Sequence, residues 1–413
     1  MSSENHVVEG LPPVEDVLEL LDAAYGGWGD EEFFEWKYNY PGTARDDHHL
    51  YIETDSKPTA FARLYHRDIE IGSDQLSVVI RGNAAVHPEY QQMGQYKSLH
   101  AATEQHCESA DVDLIMTYNR KDNHSFQTNA KSEWSYAELP LYLTILSPTA
   151  ALEEYAASVL ANEGTIGRLV SLLGDRVRVS VDGDSVSLAS LAGESPTDRR
   201  GVTVHLTRDA LHELVGLVAN GASVTTLGKL GLSLGARNEI SPLPVQTSSQ
   251  PSSELGDVEV IPRGLDTEAD REAMLELYRA TEREDESVVR FRRSEADVEH
   301  MLAHPNLLAT LWLERDGVLV GFAPVFAVRS GSVLEGRVAD LCAVGRDARK
   351  QLIEGIEAFC QNNGIDVIAM FAPEQPSDRW VCIRRHVLMW NELLNGPGRF
   401  SPHEWNIGFY DVV

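Results

Sequence analysis

The sequence predicts a mixed α/β fold that contains two units of similar element order. Apolar runs of strand length alternate with segments whose apolar residues recur at helical spacing. The order of three strands, a helix and a strand occurs twice, before and after a Pro/Ser-rich linker at 241–253. We therefore expect a first domain at 1–146, a middle segment and linker at 147–255, and a second domain at 256–413.

The first unit begins with two helices, because apolar residues keep helical spacing on both sides of Gly26, Gly27 and Gly29. Strands then surround a polar turn at 55–57, and a long apolar run leads through a glycine-bearing loop into a helix. The predicted elements are helices at 13–24 and 31–38, strands at 50–54, 58–64 and 76–86, a helix at 94–109, a strand at 114–118, a helix at 125–131 and a strand at 134–146.

The second unit repeats this core with little sequence identity, so the duplication is inferred from element order. Its predicted elements are a helix at 266–281, strands at 308–313, 318–327 and 336–344, a helix at 346–363 and a strand at 365–372. In the middle segment we expect helices at 150–173 and 207–218, a hairpin at 176–186 and a strand at 202–206.

Charge is the most unusual feature of the composition. The 413 residues carry a net charge of −29, with 7 lysines against 28 arginines. Acid enrichment with lysine depletion favours a salt-rich cytosol, as in halophilic archaea, where a Debye length of about 3 Å at 1 M salt screens the self-repulsion. The alternative is an acidic surface at ordinary salt. Either interpretation argues against general nucleic-acid binding.

Membrane and metal functions find little support in the sequence. No apolar run is long enough to span a bilayer, and the first residues lack a signal peptide's basic and apolar regions, so we expect a cytoplasmic protein. The cysteines are scattered and form neither a metal nor a disulfide framework: Cys107, Cys342, Cys360 and Cys382. Asp47 and His49 would share a face of an extended chain, yet no further ligand is recognisable, so a solvated loop is favoured and no metal is expected.

The segment from Val86 to Lys97 carries the clearest functional signal. It joins a buried strand to a helix through a proline-marked exit and a short loop that contains Gly94. The N–H groups of a first helical turn have no partner within the helix, and the helix dipole adds partial positive charge there. Because Gly94 has no Cβ, an anion can approach the backbone closely. The pattern therefore predicts a phosphate site.

This pattern, V-x-P-x-x-Q-x-x-G-x-(small or aromatic), resembles the acetyl-CoA pyrophosphate loop of the GNAT N-acetyltransferase superfamily. Two further segments, 33–38 and 119–134, resemble parts of one GNAT subfamily, and tandem-GNAT acetyltransferases share the two-unit plan. The resemblance implies acetyl-CoA as co-substrate and assigns its contacts to backbone or side chains of Val86, Gln91, Gln92, Met93, Gly94, Gln95, Tyr96, Asn119 and Ser125.

Several positions depart from the family pattern. Tyr96 stands where Gly or Ala is common, and Gln91 replaces the usual Arg, which removes one cation for the phosphates. Asn129 falls where a tyrosine commonly protonates the leaving thiolate, and an amide is a poor acid. Glu133 replaces a glycine. The second unit has no such loop at 340–350, so we expect a degenerate GNAT-like domain.

The resemblance implies an acetyl-CoA-dependent N-acyltransferase in which an amine attacks the thioester directly. The catalytic residues are not identified; the candidates are Glu35, Glu53 and the carboxylate of Val413. The alternatives are a non-catalytic acyl-CoA-binding or sensor protein and a scaffold without ligand. The acceptor is expected to be a small-molecule or peptide amine, and its identity and the oligomeric state stay open.

Overall fold

The structure is a computed structural model, and its elements follow the predicted order closely. The residues it describes are 5–26, 28–41, 48–71, 74–121, 123–132, 134–147, 177–182, 185–190, 203–207, 259–263, 267–282, 288–330, 333–377, 380–393 and 404–412.

A short strand, β1 (Val7–Glu9), is followed by two helices. Helix α1 (Val14–Tyr25) buries Val17, Leu20 and Leu21 and ends at Gly26, whose positive φ of 74° suits glycine. Helix α2 (Glu31–Tyr38) is capped by the Asp30 side chain, which accepts a hydrogen bond from the N–H of Phe33. Both helices pack on the sheet, where Phe34 and Tyr38 are buried in the main core.

The rest of the first half contributes most of the strands on one side of the sheet. Its strands and helices are β2 (His49–Thr54), β3 (Lys57–Ile71), β4 (Asp74–Val86), α3 (Gln95–Ser109), β5 (Leu114–Arg120), α4 (His124–Asn129) and β6 (Ser135–Ile145). Strands β2, β3 and β4 pair antiparallel, and β4 then pairs parallel with β5. Helix α3 packs on these strands through Leu99 and Cys107.

The middle segment contributes β7 (Val177–Asp182), β8 (Ser185–Ser190) and β9 (Thr203–Thr207), which pair antiparallel in a separate sheet. This pairing confirms the predicted hairpin and the strand that follows it. The helices predicted at 150–173 and 207–218 lie outside the described residues.

The second half repeats the layout of the first. Its elements are β10 (Glu259–Arg263), α5 (Glu268–Glu282), β11 (Val288–Phe291), α6 (Glu295–Leu302), β12 (Leu307–Arg315), β13 (Val318–Ser330), β14 (Val333–Val338), β15 (Cys342–Ala343), α7 (Gly345–Asn362), β16 (Val367–Phe371), β17 (Val381–Glu392), β18 (Glu404–Asn406) and α8 (Phe409–Val412). Strands β12, β13 and β14 pair antiparallel, and β14 pairs parallel with β16, as β4 does with β5.

The two halves exchange strands at the centre of the sheet. The order is β1-β2-β3-β4-β5-β17-β6-β16-β14-β13-β12-β10. Strand β17 of the second half lies between β5 and β6, and β6 of the first half lies between β17 and β16. The pairing therefore crosses the boundary predicted at residue 146, and each half completes its sheet with a strand of the other. The predicted mixed α/β class is confirmed.

None of the described helices combines the length and the apolar character that crossing a membrane requires. Three of the four cysteines, Cys107, Cys342 and Cys360, are buried, and none of these three is in a disulfide bond.

Candidate functional site

A cleft opens where strands β4 and β5 separate. Their parallel pairing ends at Ile80 and Met116. Beyond this point β4 stays with β3 as far as Val86, whereas β5 continues along β17. One extra residue on β4 makes a β-bulge there, with Asn83 at a positive φ of 50°. The divergence exposes the β4 edge, and the resulting cleft has a volume of about 780 Å³.

The predicted phosphate loop forms the mouth of this cleft. Gln92 and Gly94 both have positive φ, at 66° and 81°, and α3 begins at Gln95. Alternation of this kind points successive N–H groups into one concavity, which favours anions. The loop is fixed at its base because the buried Gln95 side chain donates to Thr59 Oγ1 at 2.9 Å.

Most of the predicted cofactor residues line the cleft. Those that do are Val86, Gln91, Gln92, Gly94, Gln95, Tyr96, Asn119 and Ser125. Met93 does not line it: its side chain is 61% exposed, and its carbonyl accepts a hydrogen bond from Asn5 Nδ2 at 3.2 Å. The resemblance assigns Met93 a contact through its backbone N–H, and that assignment stays a prediction; the structure places Met93 between two residues of positive φ.

Two cations that the sequence analysis did not identify also line the cleft. Lys97 is exposed on the first turn of α3, one residue after Tyr96. Arg81 is buried on β4. Lys97 therefore supplies a positive charge beside the loop although Gln91 replaces the expected Arg. Its position three residues after Gly94 was the signal in the sequence, since i and i+3 share one helix face.

A chain of hydrogen bonds crosses the cleft from β4 to α4. The Tyr96 hydroxyl lies 2.5 Å from Ser125 Oγ and accepts from Arg81 Nη2 at 2.8 Å. His100 Nδ1 lies 2.9 Å from Arg81 Nη1. Burial, together with the Arg81 charge, lowers the pKa of His100 to about 4. The imidazole is therefore neutral at pH 7 and accepts from the guanidinium, which holds Arg81 in place.

The backbone of β4 turns one N–H toward the cleft. The N–H of His87 bonds the Thr59 carbonyl on β3 at 2.9 Å, and hydrogen bonds of an antiparallel strand alternate in direction. The N–H of Val86 consequently faces away from β3, toward the space that β5 has left. The nearby Ala84 carbonyl accepts from the Tyr25 hydroxyl at 3.1 Å, so the same edge is anchored to α1.

The inner end of the cleft is lined by aromatic hydroxyl groups. The hydroxyls of Tyr65 and Tyr118 are buried and have no hydrogen-bond partner among the described residues. Burial raises the pKa of Tyr118 well above its usual value, and the negative charge of Asp411 adds to the shift. Tyr118 therefore keeps its proton at neutral pH. A buried polar group without a partner has a cost, which a bound ligand can remove.

The C-terminal segment reaches this inner end from the second half. Tyr410 and Asp411 line the cleft, and Asp411 pairs with Arg293 at 2.5 and 2.8 Å. Arg67 lies 3.5 Å from Asp411 and stacks over Tyr40. The site is therefore built from both halves. Val413, a candidate base in the sequence analysis, lies outside the described residues, as does Glu133.

The other predicted positions lie elsewhere. The Glu35 carboxylate on α2 accepts a hydrogen bond from Asn39, the residue after that helix. Glu53 is exposed on β2, and neither glutamate is among the cleft-lining residues. Asn129 is fully buried and also does not line the cleft. The α2 aromatic residues pack as core: Trp36 stacks on His300 of the second half with ring centroids 4.7 Å apart. Hydrophobic spacing shows that a face is buried and cannot show whether protein or ligand covers it.

The corresponding place in the second half is filled. One extra residue also bulges the chain after β14, between Val338 and Cys342, but the chain's own C-terminal segment covers it. The N–H of Tyr410 bonds the Ala339 carbonyl at 2.9 Å. A Cβ on Gly408 would lie 2.1 Å from that same oxygen. Only Val344 separates β15 from α7, so no phosphate loop exists here, as the sequence indicated.

Proteins of known structure share this fold at low sequence identity. No family model and no curated protein matches the sequence. The N-myristoyltransferase of Saccharomyces cerevisiae, solved with bound myristoyl-CoA, matches with a TM-score of 0.53 and 12% identity over 100% of this chain and 86% of that chain. This chain shares that enzyme's fold.

Two further matches, each with a TM-score of 0.49, cover 94% of this chain and 72% of the other chain. They are a GCN5-related N-acetyltransferase from Anabaena variabilis, at 10% identity, and a probable N-acyltransferase from Enterococcus faecalis, at 9%. The tandem relationship and the high-salt source stay predictions.

Proposed function

We propose that this protein is an acyl-CoA-dependent N-acyltransferase whose donor binds in the cleft of the first half. The observation that carries the proposal is the separation of β4 from β5 beside a loop that has positive φ at Gln92 and Gly94 and leads into a helix N-terminus. The fold, shared with a myristoyl-CoA-binding transferase, supports it.

The donor is placed by matching its chemistry to the cleft wall. The diphosphate lies at the loop from Gln92 to Gln95, with Lys97 as its cation. The pantetheine arm follows the free edge of β4 and bonds the backbone at Val86. The thioester then lies near the bulge at Asn83, next to the hydroxyls of Tyr65 and Tyr118. The Tyr96–Ser125 hydrogen bond crosses this path and opens when the arm enters.

The reaction is attack of a neutral amine nitrogen on the thioester carbonyl carbon. As the C–N bond forms, negative charge develops on the carbonyl oxygen, where a backbone N–H stabilises it. The C–S bond then breaks, and the thiolate takes a proton. Tyr118 is the proposed donor of that proton, because it stays protonated at neutral pH and lies in the cleft, unlike Asn129. The amine loses its proton to solvent, and the Tyr118 phenolate takes one back from solvent, so the net products are the amide and the free CoA thiol.

Acetyl is the proposed acyl group. The inner end of the cleft carries tyrosine hydroxyls and the Arg67–Asp411 ion pair, and an alkyl chain gains little in such surroundings. A short acyl group avoids contact with them. The acceptor is a small-molecule or peptide amine.

Two measurements on the purified protein test the proposal. CoA and acetyl-CoA are expected to raise the melting temperature, since a ligand that binds only the folded state stabilises it by about 2.7 kcal/mol at 100 times Kd. Thioester cleavage, followed by free thiol release, is expected in the presence of a panel of amines. If the protein binds acyl-CoA but cleaves no acyl-CoA of any chain length, the non-catalytic acyl-CoA-binding alternative is favoured. If it binds no acyl-CoA, both proposals are overturned.

A further inference from the structure

We propose that His48, His66 and His106 form a divalent metal site of the Zn²⁺ type, on the face of the sheet that α3 covers. The three imidazoles come from separate elements: His48 directly precedes β2, His66 lies on β3, and His106 lies in the last turn of α3. One ring nitrogen of each lies within 4.8 Å of those of the other two. The site is independent of the cleft and of the proposed acyl transfer.

The spacing of the rings is close to what zinc requires. Zn–N bonds of about 2.0–2.1 Å in tetrahedral geometry place neighbouring nitrogens about 3.3–3.4 Å apart. The Nε2 atoms of His66 and His106 lie 3.1 Å apart, and the rings of His48 and His66 stack with centroids 4.4 Å apart. A shift of about 1 Å or a rotation of His48 therefore completes a three-nitrogen set.

A carboxylate stands behind one of the proposed ligands. Glu9 Oε1 lies 3.9 Å from His106 Nδ1, so Nε2 of the same ring is the atom that faces the other histidines. A carboxylate that orients the second ring nitrogen is the usual partner of a metal-binding histidine. The proposed ligands are also largely shielded from solvent: His48 is 6% exposed and the His106 side chain 11%.

The donor set selects the metal class. Imidazole suits Zn²⁺, Cu²⁺ and Ni²⁺ and is a poor ligand for Mg²⁺ or Ca²⁺, which prefer oxygen. No fourth His, Cys, Asp or Glu joins the cluster within the described parts of the chain. The fourth position would hold water, and His66 also lines a second cleft of about 870 Å³. Because the metal ties the end of α3 to β3 and to the start of β2, binding stabilises the fold.

The experiment uses full-length protein freed of metal with EDTA and then dialysed. Titration with ZnCl₂, followed by calorimetry, is expected to show one ion per chain and a rise in melting temperature. Co²⁺ is expected to give the visible absorption of a tetrahedral site. His66→Gln and His106→Gln are expected to lose at least tenfold in Zn²⁺ affinity, and Glu9→Gln about tenfold. His87→Gln, in the loop between β4 and α3 and outside the cluster, is the matched control and is expected to bind normally.

Absence of binding at one ion per chain overturns the proposal, as does full affinity in both histidine variants. Equal losses in His87→Gln and His66→Gln would also overturn it, because the effect would then not be local. If His66→Gln and His106→Gln fail to fold, Glu9→Gln decides, since Glu9 is largely exposed. Wild-type affinity and an unchanged Co²⁺ spectrum in that variant would contradict the assigned geometry.

Discussion

The two halves of this protein carry a similar one-residue bulge, within β4 in the first half and directly after β14 in the second, and they treat it in opposite ways. In the first half, eight residues separate Val86 from α3, and they form a loop at the mouth of an open cleft. In the second half, Val344 alone stands between β15 and α7, and residues 407–411 lie across the bulge at Ala339. This difference indicates that the fold itself produces the bulge. Whether a ligand can bind there depends on the loop before the helix and on whether the strand edge is left uncovered.

The strand exchange gives the filled half a structural role in the open site. Strand β17 completes the sheet beside β5, and the C-terminal segment carries Tyr410 and Asp411 to the inner end of the open cleft. The second half thus acts as a wall of the first half's site. Removing it would leave the β5 and β6 edges of the first half unpaired, which favours aggregation.

The largest expected effect comes from charge at the phosphate loop. Gly94→Asp adds bulk and negative charge where a diphosphate is proposed to bind, and we expect CoA to lose its effect on the melting temperature entirely. Gly345→Asp is the matched control, because Gly345 also starts a helix at positive φ, 76° against 81°, and its Cβ would enter open space. Thermal shift with CoA compares the two. Equal responses to CoA would contradict the proposed difference between the halves.

The closed bulge of the second half is tested by Gly408→Ala. The added Cβ would meet the Ala339 carbonyl oxygen at 2.1 Å, so backbone must move, and we expect a loss of about 3 kcal/mol or more in the free energy of unfolding. Gly317→Ala provides a control with positive φ and no close contact, and about 1 kcal/mol is expected there. Urea denaturation measures both. A small effect of Gly408→Ala would mean that the C-terminal segment does not cover the bulge tightly.

A buried lysine, Lys37, lies where the two halves meet. Burial lowers the pKa of Lys37 to about 7, and the charge of Arg337 from the second half adds to this. An unfolded lysine titrates near about 10.4, so between these values the unfolded chain binds more protons and stability rises with pH. At pH 7 and below, nearly the full destabilisation from burying the charge of Lys37 is present. Lys37→Met is therefore expected to stabilise the fold by about 2 kcal/mol at pH 7.

This gain is expected to shrink as pH rises from 7 to 9, because the unfolded lysine approaches its own pKa. Urea denaturation of both proteins at the two pH values measures it. A gain that is the same at both values would show that Lys37 is not the group responsible.

The smallest expected effect concerns the cation beside the loop. Lys97→Ala removes an exposed charge from the proposed diphosphate site, and we expect CoA affinity to fall several-fold, about 1 kcal/mol, with a weaker salt dependence. Lys350→Ala, on α7 of the second half, is the control, and it is expected to leave CoA affinity unchanged. Isothermal titration at two salt concentrations measures both. Equal losses would indicate a general charge effect.

The sequence predicted most of the local structure and one end of the site. Most predicted strand and helix bounds agree with the structure within a few residues, because apolar period and glycine breaks are local signals. Leu114–Arg120 extends a predicted strand by two residues, whereas β3 continues seven residues beyond its predicted end at 64. The loop at Gly94 was predicted because strand, turn and helix are contiguous. The break at 339–341 was not, because it coincides with contacts to distant residues: Asp340 bonds Tyr278 and Arg293, and Gly408 packs on Ala339.

The rest of the site depends on contacts between distant residues. Strand β17 enters the first half's sheet, and its apolar residues do not specify which strand they pair with. Asp411 meets Arg67 over 344 positions of sequence, and Tyr118 becomes a candidate acid only because β5 diverges from β4. The three histidines likewise lie 18 and 40 positions apart, so spacing could not reveal them.

The most direct test of the central claim is a crystal structure of the full-length protein with a non-hydrolysable acetyl-CoA analogue. The account predicts density for a diphosphate against the amides of residues 92–95 and for the pantetheine arm between β4 and β5, with the Tyr96–Ser125 hydrogen bond broken. The second half is predicted to be empty of cofactor. Density at the start of α7, or a first-half cleft that stays closed by Tyr96 at saturating analogue, would contradict it.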